Sequence, residues 1–594
     1  MSSTPRIRLD QDGPRSSYFR SSNAPGFRSA ALLLAVIAAL ASAGAAAQTA
    51  PPSLADQQEQ RERAEREARE RAERQAVPDP GQPSAPAVDR TSTYLHTDLP
   101  SETPCFRIDA LRLQGDGIER FDWIQRYLNQ YAGKCIGQEG IGLIVRRASD
   151  LALTRGYVTT RIGLPEQNLA AGTLNLLLVP GTIRAIRFQS EGERDSQWRS
   201  AFPARPGDLL NLRELEQGLE QLKRVPSQDA TMDIVPGDKP GESDVVITLK
   251  RQKLWRGALS LDDAGSRATG RSQVGATVWL DNLANINDLL SAGYSHDATD
   301  DDGLGSRGYN GSYSIPWGNW RFAVSGSGYR YHQTVIGATQ RFGTSGRSQS
   351  ADIAIERLLS RAQSYRTSLE LRVGQRRARS YVEGVELENQ RRQTTSAELA
   401  LLHRQYWGRA QLDLRLAHRR GLRWLGGQDD LAGRPDDAPT FRYGVTSADI
   451  GVSMPFALGK KTAFWSGALR YQHSGDPLYA SEFVTIGGRY TVQGFDGENS
   501  LGGRSGGYLR NSVSLSLSRA FAPYLGFDVG HIESDRALGI EGGTLSGAYL
   551  GVRGDFGSPA SSLSWDAFAG WPLSGPRELT REGRAAGFRL AWQF

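Results

Sequence analysis

The residues that most often carry covalent or metal chemistry are few in this chain. It has two cysteines, Cys105 and Cys135, and seven histidines. Two cysteines are too few for a zinc knuckle, and the histidines show no HExxH spacing. No GxxxxGK[ST] sequence that would cradle a phosphate occurs, and no serine stands in a convincing nucleophile elbow. We therefore expect no enzyme activity, no metal and no cofactor.

The N-terminal segment indicates the compartment in which the two cysteines are located. A basic region precedes an apolar run at 30–41, and small residues follow it before Gln48. This order predicts a secretory signal peptide over 1–47, since the apolar run is too short to be a membrane anchor. Export leads to an oxidising compartment. There Cys105 and Cys135 are expected to form a disulfide that stabilises the fold by roughly 3–4 kcal/mol.

Residues 48–77 are polar on every side. Alanine, glutamate and arginine favour a helix, and pairs such as Glu62 with Arg66 support it. Such a helix cannot dock on a hydrophobic core. It is either a solvated stalk or a plug inside a water-filled lumen, and its residues do not decide between the two. Residues 78–103, rich in Pro, Ser and Thr, predict an extended linker.

Two short segments then repeat one pattern. Residues 104–181 predict a strand over 106–113, helices near 121–131 and 140–154, and strands over 157–164 and 172–179. Residues 182–251 repeat this β-α-α-β-β order, with a helix over 209–222. Tandem copies of a small α+β module indicate an array.

The remainder, 252–594, alternates apolar and polar residues between polar loops. The last strand is the clearest example, with Phe588, Leu590, Trp592 and Phe594 on one side. A secreted β-sandwich would also alternate, but the leader, the aromatic terminal strand and the unbroken length favour a membrane barrel. About 340 residues at roughly twenty per strand and turn give roughly sixteen strands. The expected fold is mainly β, a transmembrane antiparallel barrel preceded by two α+β domains and a polar helix.

Several short segments, taken in order, resemble one known family. They are Cys105–Ile108, Arg155–Arg161, Leu215–Leu222, Thr491–Phe495, Tyr508–Asn511, Gly526–Gly530 and the terminal Phe594. From about Cys105 onward the chain resembles two-partner secretion outer-membrane transporters of the haemolysin secretion/activation type. These belong to the BamA-like superfamily, whose barrels follow periplasmic POTRA domains. The resemblance implies a loop, near 491–507 here, that folds into the pore.

The resemblance also implies roles for individual residues. Those at the loop tip are Val492, Gln493, Gly494 and Phe495. Those on the barrel strand that faces it are Gly526, Phe527, Asp528 and Gly530. Phe594 matches the signal that barrel-assembly machinery reads. The family has arginine where Gln493 stands, and that arginine pairs with the aspartate matched by Asp528. Either the loop is held more loosely here, or Arg504 or Arg510 replaces the arginine.

The resemblance implies export of a large exoprotein that bears an N-terminal secretion domain and is captured unfolded in the periplasm. An extended chain can add to a strand edge of the POTRA domains, using backbone hydrogen bonds. The candidate contact residues are Arg155, Tyr157, Arg161, Gln217 and Gln221, whereas the leucines of the second helix are expected to form core. Activation of the exported partner is left open.

The expected setting is the outer membrane of a Gram-negative bacterium, with the POTRA domains in the periplasm. Expected partners are outer-membrane lipid and, during assembly, barrel-assembly machinery and periplasmic chaperones, and we expect a monomer. The net charge of +6 is small for 594 residues and does not indicate nucleic acid. An outer-membrane enzyme, a barrel-assembly insertase and a passive porin are the alternatives. The cargo is a haemolysin, an adhesin or a contact-dependent toxin.

Overall fold

The computed structural model describes residues 93–594, except for 191–194, 299–302, 337–339, 537–538, 559 and 581–583. The predicted signal peptide at 1–47, the polar helix at 48–77 and most of the linker at 78–103 lie outside the described residues. In the part of the chain that is described, no helix has the length and hydropathy needed to cross a membrane.

The first small domain is a three-stranded sheet packed against two helices. Its elements are β1 (Phe106–Ile108), β2 (Ala110–Gln114), α1 (Asp122–Leu128), β3 (Lys134–Ile136), α2 (Gln138–Thr154), β4 (Arg161–Gly163) and β5 (Thr173–Val179). β5 lies between β2, to which it is parallel, and β4, to which it is antiparallel. Because side chains alternate along a strand, Leu174, Leu176 and Leu178 of β5 all enter one core, together with Ile144 of α2.

A separate pair of strands, β1 and β3, carries the disulfide. Cys105 precedes β1 and Cys135 lies in β3; their sulfurs are bonded and their Cα atoms are 5.5 Å apart. Glu102 lies close by. Its carboxylate accepts hydrogen bonds from the backbone N–H groups of Glu139 and Gly140, each at 2.7 Å. These bonds satisfy donors that the first turn of α2 leaves without a helical partner.

Two strands of this domain differ in extent from the prediction. The strand predicted over 106–113 is divided at Asp109 into β1 and β2. The strand predicted over 157–164 shortens to β4, and the residues before it form a turn. Gly156 has a φ of 95° and ends α2, so Tyr157 packs against the core of the domain instead of extending.

Apart from the separate β1–β3 pair, the second small domain repeats the order of elements of the first. Its elements are β6 (Thr182–Phe188), α3 (Asp195–Ala201), α4 (Leu212–Lys223), β7 (Gln228–Pro236) and β8 (Glu242–Arg251). β8 is central, parallel to β6 and antiparallel to β7. Asn211 caps α4 by accepting a 2.9 Å hydrogen bond from the N–H of Arg213. The two helices pack closely because the ring of Phe202 occupies the space beside Gly218, 2.3 Å from where a Cβ would stand.

The rest of the described chain forms a closed antiparallel barrel of sixteen strands. In order around the barrel they are β9 (Trp255–Asp262), β10 (Gln273–Asp281), β11 (Leu289–Asp297), β12 (Leu304–Trp317), β13 (Trp320–Ile336), β14 (Arg341–Arg361), β15 (Tyr365–Val382), β17 (Arg392–Trp407), β18 (Ala410–Leu422), β19 (Gly444–Leu458), β20 (Lys461–His473), β23 (Gly506–Ser516), β24 (Ala522–Ile532), β25 (Gly543–Ser558), β26 (Ser561–Ser574) and β27 (Ala585–Gln593). β16 (Val385–Glu386) is a short extension of one hairpin, and α5 (Arg577–Thr580) precedes β27. The closed barrel confirms the predicted fold class and excludes the sandwich.

The two ends of the barrel differ. At one end the turns are short, as at 318–319, 408–409 and 459–460, whereas the other end carries the long loops 423–443 and 474–505. Outer-membrane barrels have short periplasmic turns and longer extracellular loops. The outer surface carries a band of exposed apolar side chains, which includes Val324, Ile353, Leu399, Leu525 and Leu550. The alternate residues face the lumen.

Candidate functional site

The lumen holds a cavity of about 1230 Å³ whose lining includes many charged side chains among neutral polar and apolar ones. Strand alternation brings them inward from β13 to β20. The arginines include Arg321, Arg366, Arg372, Arg404, Arg415, Arg419 and Arg470, and the carboxylates include Glu356, Glu370, Glu398, Asp413 and Asp449, which Glu482 joins from the loop after β20. Charged groups in this number keep water in the cavity.

Arginines and carboxylates alternate across neighbouring strands, so most of these charges are paired. Arg415 pairs with Glu398 and lies 3.7 Å from Glu370. Asp449 on β19 pairs with Arg470 on β20 at 3.1 Å. Because a buried charge without a partner is costly, this pairing is what lets so many ionised groups share one lumen.

The short-turn end of the cavity is bordered by α4 of the second domain. Glu220 pairs with both Arg361 and Arg366 of the barrel, and Gln217 accepts a 3.0 Å hydrogen bond from Arg361. Burial by itself would raise the pKa of Glu220, but Arg366 and Arg361 outweigh it and hold that pKa below its ordinary value. The helix therefore presents an ionised, doubly paired carboxylate to the barrel rim.

The residues after α4 fasten the second domain to the β10–β11 turn and its neighbours. Arg224 donates to Ser314 Oγ at 2.8 Å and to the carbonyl oxygen of Asn287 at 2.7 Å. The N–H of Ser227 donates to Asp281 at 3.1 Å. Burial, together with nearby Arg321, lowers the pKa of Arg224 to about 9. Arg224 is still protonated at neutral pH, so the contact keeps its charge.

The loop between β20 and β23 turns back into the lumen. We call residues 474–505 the pore loop; it begins earlier than the predicted 491–507. Within it β21 (Val484–Ile486) pairs with β22 (Leu501–Gly503). A small apolar core seats the pore loop against the wall; its buried members are Val484, Ile486, Val492, Phe495, Tyr508, Ile532 and Leu545. These apolar contacts fix the position of the loop on the barrel wall.

The tip of the pore loop meets a buried carboxylate, Asp528 of β24, which is 0% exposed. The N–H of Gln493 donates to Asp528 at 3.0 Å. Arg510 of β23 donates to the same carboxylate at 3.3 Å and to the amide oxygen of Gln493 at 3.0 Å. We call Gln493, Arg510 and Asp528 the tip lock. Arg504, the other candidate arginine, pairs with Asp535 at 2.7 Å and takes no part.

A glycine in the tip itself and glycines on two strands make room for the tip. Gly494 has a φ of 132°, and a Cβ there would stand 2.7 Å from the carbonyl oxygen of Trp571. A Cβ on Gly547 of β25 would stand 2.4 Å from the carbonyl oxygen of Gln493, and one on Gly570 of β26 would stand 2.9 Å from the Cα of Gly494. The tip backbone therefore lies directly on the barrel backbone, which an alanine at any of these positions would prevent.

The four residues predicted on the strand facing the loop have different positions. Asp528 meets the tip, and Gly530 leaves space for Val492, whose Cγ2 would be 2.9 Å from a Cβ there. Gly526 makes room for the ring of Tyr549, and Phe527 points outward with 47% exposure. Alternation along β24 accounts for the outward direction of Phe527.

The five predicted recognition residues do not form one surface. Arg155 lies over the ring of Trp123, 4.2 Å from its centroid, and Tyr157 stacks on the same ring at 6.0 Å. Arg161 is exposed on the edge strand β4. Gln217 and Gln221 are instead buried and line the barrel cavity.

The sequence reasoning missed Gly547, Gly570 and the pair that Glu220 makes with Arg361. The glycines lie on strands whose register relative to the tip no local pattern reveals. Glu220 had a signal, because it shares the polar face of an amphipathic helix with Gln217. That signal indicated a polar partner but did not identify the barrel rim as that partner.

A closed barrel with a loop seated in its lumen and two small α+β domains at its short-turn end defines a POTRA-barrel transporter. POTRA models match residues 106–181, in the ShlB type, and 182–236. The chain belongs to the haemolysin secretion/activation family ShlB/FhaC/HecB, whose family model matches residues 241–554.

Named relatives agree with this assignment. The outer membrane transporter CdiB-2 of Burkholderia pseudomallei (strain 1026b) is 38% identical over 513 residues, which cover 84% of this chain and 88% of the relative. The hemolysin transporter protein ShlB of Serratia marcescens is 28% identical and covers 76% of this chain and 78% of its own. The solved structure of CdiB from Escherichia coli has a TM-score of 0.81 at 25% identity, over 92% of this chain and 100% of that one.

The predicted function and location are thereby confirmed. The protein is an outer-membrane transporter of two-partner secretion with periplasmic POTRA domains, and its family transports partner exoproteins. Members of the family are transporters rather than enzymes.

Proposed function

We propose that this transporter exports one large exoprotein as an unfolded chain, works as a monomer and uses the pore loop as its gate. One observation supports this above all. A charged cavity of about 1230 Å³ has α4 at its periplasmic mouth, and its lining includes Glu482 of the pore loop. The loop is held by non-covalent contacts: an apolar core, hydrogen bonds, and ion pairs such as Glu482 with Arg419 and Arg489 with Asp263. It is therefore a removable part of the wall, and an exported chain has to displace it.

The lining of the cavity suits an unfolded polypeptide. Its charges are mostly paired with each other, so a passing chain meets no strong field of a single sign. The sequence has no GxxxxGK[ST] motif. Folding of the exoprotein outside the cell supplies the direction of movement, as the family implies.

We assign recognition to the first POTRA domain. Trp123, Arg155 and Tyr157 form a partly exposed aromatic and cationic cluster beside the edge strand that carries Arg161. An extended segment from the N-terminal secretion domain of the exoprotein would pair along that edge and contact the cluster. Gln217 and Gln221, buried at the cavity mouth, would contact the chain only as it enters the pore.

Two POTRA domains favour export over the insertase alternative, since barrel-assembly proteins usually carry more. The passive porin is disfavoured because porins lack such domains. Phe594 is proposed as the signal for assembly machinery, which acts with periplasmic chaperones. A haemolysin, an adhesin and a contact-dependent toxin all stay as cargo candidates, and no cofactor is proposed.

The test is a deletion of the gene in its native strain, followed by mass spectrometry of culture supernatant, cell surface and periplasm. We expect one very large protein to disappear from outside the cell and to accumulate, or be degraded, in the periplasm. The wild-type gene should restore it, and Arg155→Ala with Tyr157→Ala should restore it poorly despite normal barrel levels. An unchanged set of external proteins would contradict the proposal.

A further inference from the structure

A row of arginines crosses the outer surface of the barrel near its extracellular end. Arg307 of β12 is the register partner of Arg330 of β13, and Arg330 is also the partner of Arg347 of β14. Arg347 is in turn opposite Arg379 of β15. All four residues are exposed. We call Arg307, Arg330, Arg347 and Arg379 the arginine row.

Strand alternation places the arginine row on the lipid side of the wall. On β13, Arg330 shares its face with the exposed Val324, whereas Arg321 has the opposite parity and lines the lumen. On β14, Arg347 shares its face with the exposed Ile353. Because residues two apart on a strand point the same way, the row faces the membrane and not the lumen.

The depth of the row corresponds to the outer edge of the apolar band. Trp320, an exposed aromatic residue, begins β13 at its short-turn end. The ten residues from Trp320 to Arg330 extend about 33 Å along the strand at roughly 3.3 Å per residue. Tilted by about 35–45°, they rise by about 25 Å, which is the height of the apolar band in such barrels. Arg347 and Arg379, each fourteen residues from the short-turn ends of their strands, lie farther outward.

Tyrosine side chains lie directly below the row. Tyr294 and Tyr309 are exposed register partners, and Tyr309 is two residues closer to the short-turn end of β12 than Arg307. The ring of Tyr309 occupies the space beside Gly328, 2.2 Å from where a Cβ would stand, and its hydroxyl accepts a 3.0 Å hydrogen bond from Gln349. Outer-membrane barrels place aromatic girdles at the boundary between hydrocarbon and headgroups. The arginines therefore lie at the level of the headgroups of the outer leaflet.

The described part of the chain supplies little negative charge to the row. Like charges that face each other on neighbouring strands are destabilising. Among the described residues, the carboxylate that pairs with a member of the row is Glu386, which lies 3.9 Å from Arg379 and 2.7 Å from Arg391. Arg307 and Arg330 form no ion pair with a described residue. An anion from outside the chain would relieve this repulsion.

The row is confined to one side of the barrel. On the far side, the outward positions near the extracellular ends of β20, β23, β24 and β25 are also consecutive register partners. They are Tyr471, Gly507, His531 and Thr544, none of which carries a permanent positive charge. A general attraction to anionic headgroups would not need this asymmetry, whereas a molecule bound at one place accounts for it.

We propose that the arginine row binds the phosphates of a lipopolysaccharide molecule in the outer leaflet. Guanidinium groups match phosphate in charge and geometry and bind it through paired hydrogen bonds. Lipid A is a disaccharide with a phosphate at each end, and the row is about 14 Å long because it spans four strands about 4.8 Å apart. Two phosphates can therefore meet different arginines, while the acyl chains lie on the apolar band below the tyrosines. This site follows from the outer-membrane location and does not depend on the pore loop acting as a gate.

The first test is native mass spectrometry of the purified full-length protein, titrated with lipopolysaccharide in a neutral detergent. We expect Arg330→Gln with Arg347→Gln to weaken binding by at least about tenfold, because two charge-assisted contacts to phosphate are lost. Arg357→Gln with Arg409→Gln is the matched control. It removes two exposed arginines near the short-turn end and should bind lipopolysaccharide like wild type. Equal binding by the two double variants would overturn the site.

The unfolding temperature distinguishes a lipid contact from a contact within the fold. Lipopolysaccharide should raise it in wild type and in the control, but not in Arg330→Gln with Arg347→Gln. Lipopolysaccharide without its lipid A phosphates should raise it in none of them. An equal rise with phosphatidylglycerol would show a response to any anionic lipid and would reject the site. If the row variant were less stable than wild type by the same amount with and without lipopolysaccharide, the row would be neutralised within the chain, for example by the aspartates at 300–302 outside the described residues, and the proposal would be wrong.

Discussion

At the scale of single residues, the tip lock differs from the arrangement that the family resemblance implies. Arg510 and Asp528 are register partners on the neighbouring strands β23 and β24. Their ion pair belongs to the barrel wall and persists when the loop leaves. Only the hydrogen bonds of Gln493 are lost, and Asp528 keeps a 3.2 Å bond from the N–H of Asn511. If the partner of Asp528 were an arginine on the tip, departure of the loop would leave this buried carboxylate without a partner. Because the tip carries Gln493 and the partner is Arg510 of the wall, departure of the loop is less costly.

Returning the arginine to the tip should therefore tighten the gate. We expect Gln493→Arg together with Arg510→Gln to lower the open fraction in single-channel recordings by about tenfold or more, since departure now unpairs Asp528. Gln493→Arg alone should change it in the same direction by less, because two arginines share one carboxylate.

Gln493→Met is the control for side-chain size in this experiment. It keeps the backbone bond to Asp528 but adds no charge, so it should not tighten the gate. Equal conductance of wild type and Gln493→Arg would contradict the looser closure inferred here.

The sequence could locate this site but not complete it. The tip and Asp528 followed from ordered motifs, and Arg510 was one of two arginines that fitted. Choosing between Arg504 and Arg510 required the register of β23 against β24, and register is decided by tertiary packing over whole strands.

At the scale of elements, α4 shows how one amphipathic helix serves two partners. Leu215 and Leu222 are buried in the core of the second POTRA domain, as predicted. Gln217 and Gln221 were expected to contact an exported chain, but they face the barrel, as does Glu220. The pattern correctly separated an apolar from a polar face, yet a polar face packed against a charged rim looks the same in sequence as one in water.

The contact of Glu220 with the barrel should depend on pH in a defined direction. Its folded pKa is below the ordinary value of 4.5. The ion pairs of Glu220 therefore stabilise the docking of α4 fully above pH 4.5. This stabilisation is lost as the pH falls through the lower pKa of the folded state. We expect the α4 region to stay protected from proteolysis at pH 5 and to become accessible only as the pH falls below the ordinary value of 4.5.

Glu220→Gln should produce the accessible state at neutral pH, with a loss of roughly 3 kcal/mol from two arginines left without their partner. Glu214→Gln, on the exposed side of the same helix, is the matched control and should behave like wild type. If Glu220→Gln is as protected at neutral pH as Glu214→Gln, the docking of α4 does not depend on this ion pair.

At the scale of the whole molecule, the barrel is closed by its shortest seam. β27 and β9 are in register over five residue pairs, from Arg589 with Asp262 to Gln593 with Ala258. Phe594 extends the seam, because its N–H and carbonyl form bonds of 2.9 and 2.8 Å with Gly257. Alternation predicted the strands and roughly their number. It did not show where the ends meet, because closure depends on the shear of all sixteen strands together.

This seam gives Phe594 two separable roles, as an assembly signal and as a structural contact. Its ring packs on Trp255 and Trp592, with centroids 6.2 and 4.9 Å away, and lies 2.6 Å from where a Cβ of Gly257 would stand. Deleting Phe594 should lower both the amount of folded barrel in the outer membrane and its unfolding temperature. Gly257→Ala displaces the ring but keeps the terminal residue, so it should lower only the unfolding temperature. Both quantities follow from heat-dependent electrophoretic mobility of membrane fractions. Normal stability in Gly257→Ala together with normal assembly after the deletion would leave Phe594 with neither role, and closure would then rest on the five register pairs alone.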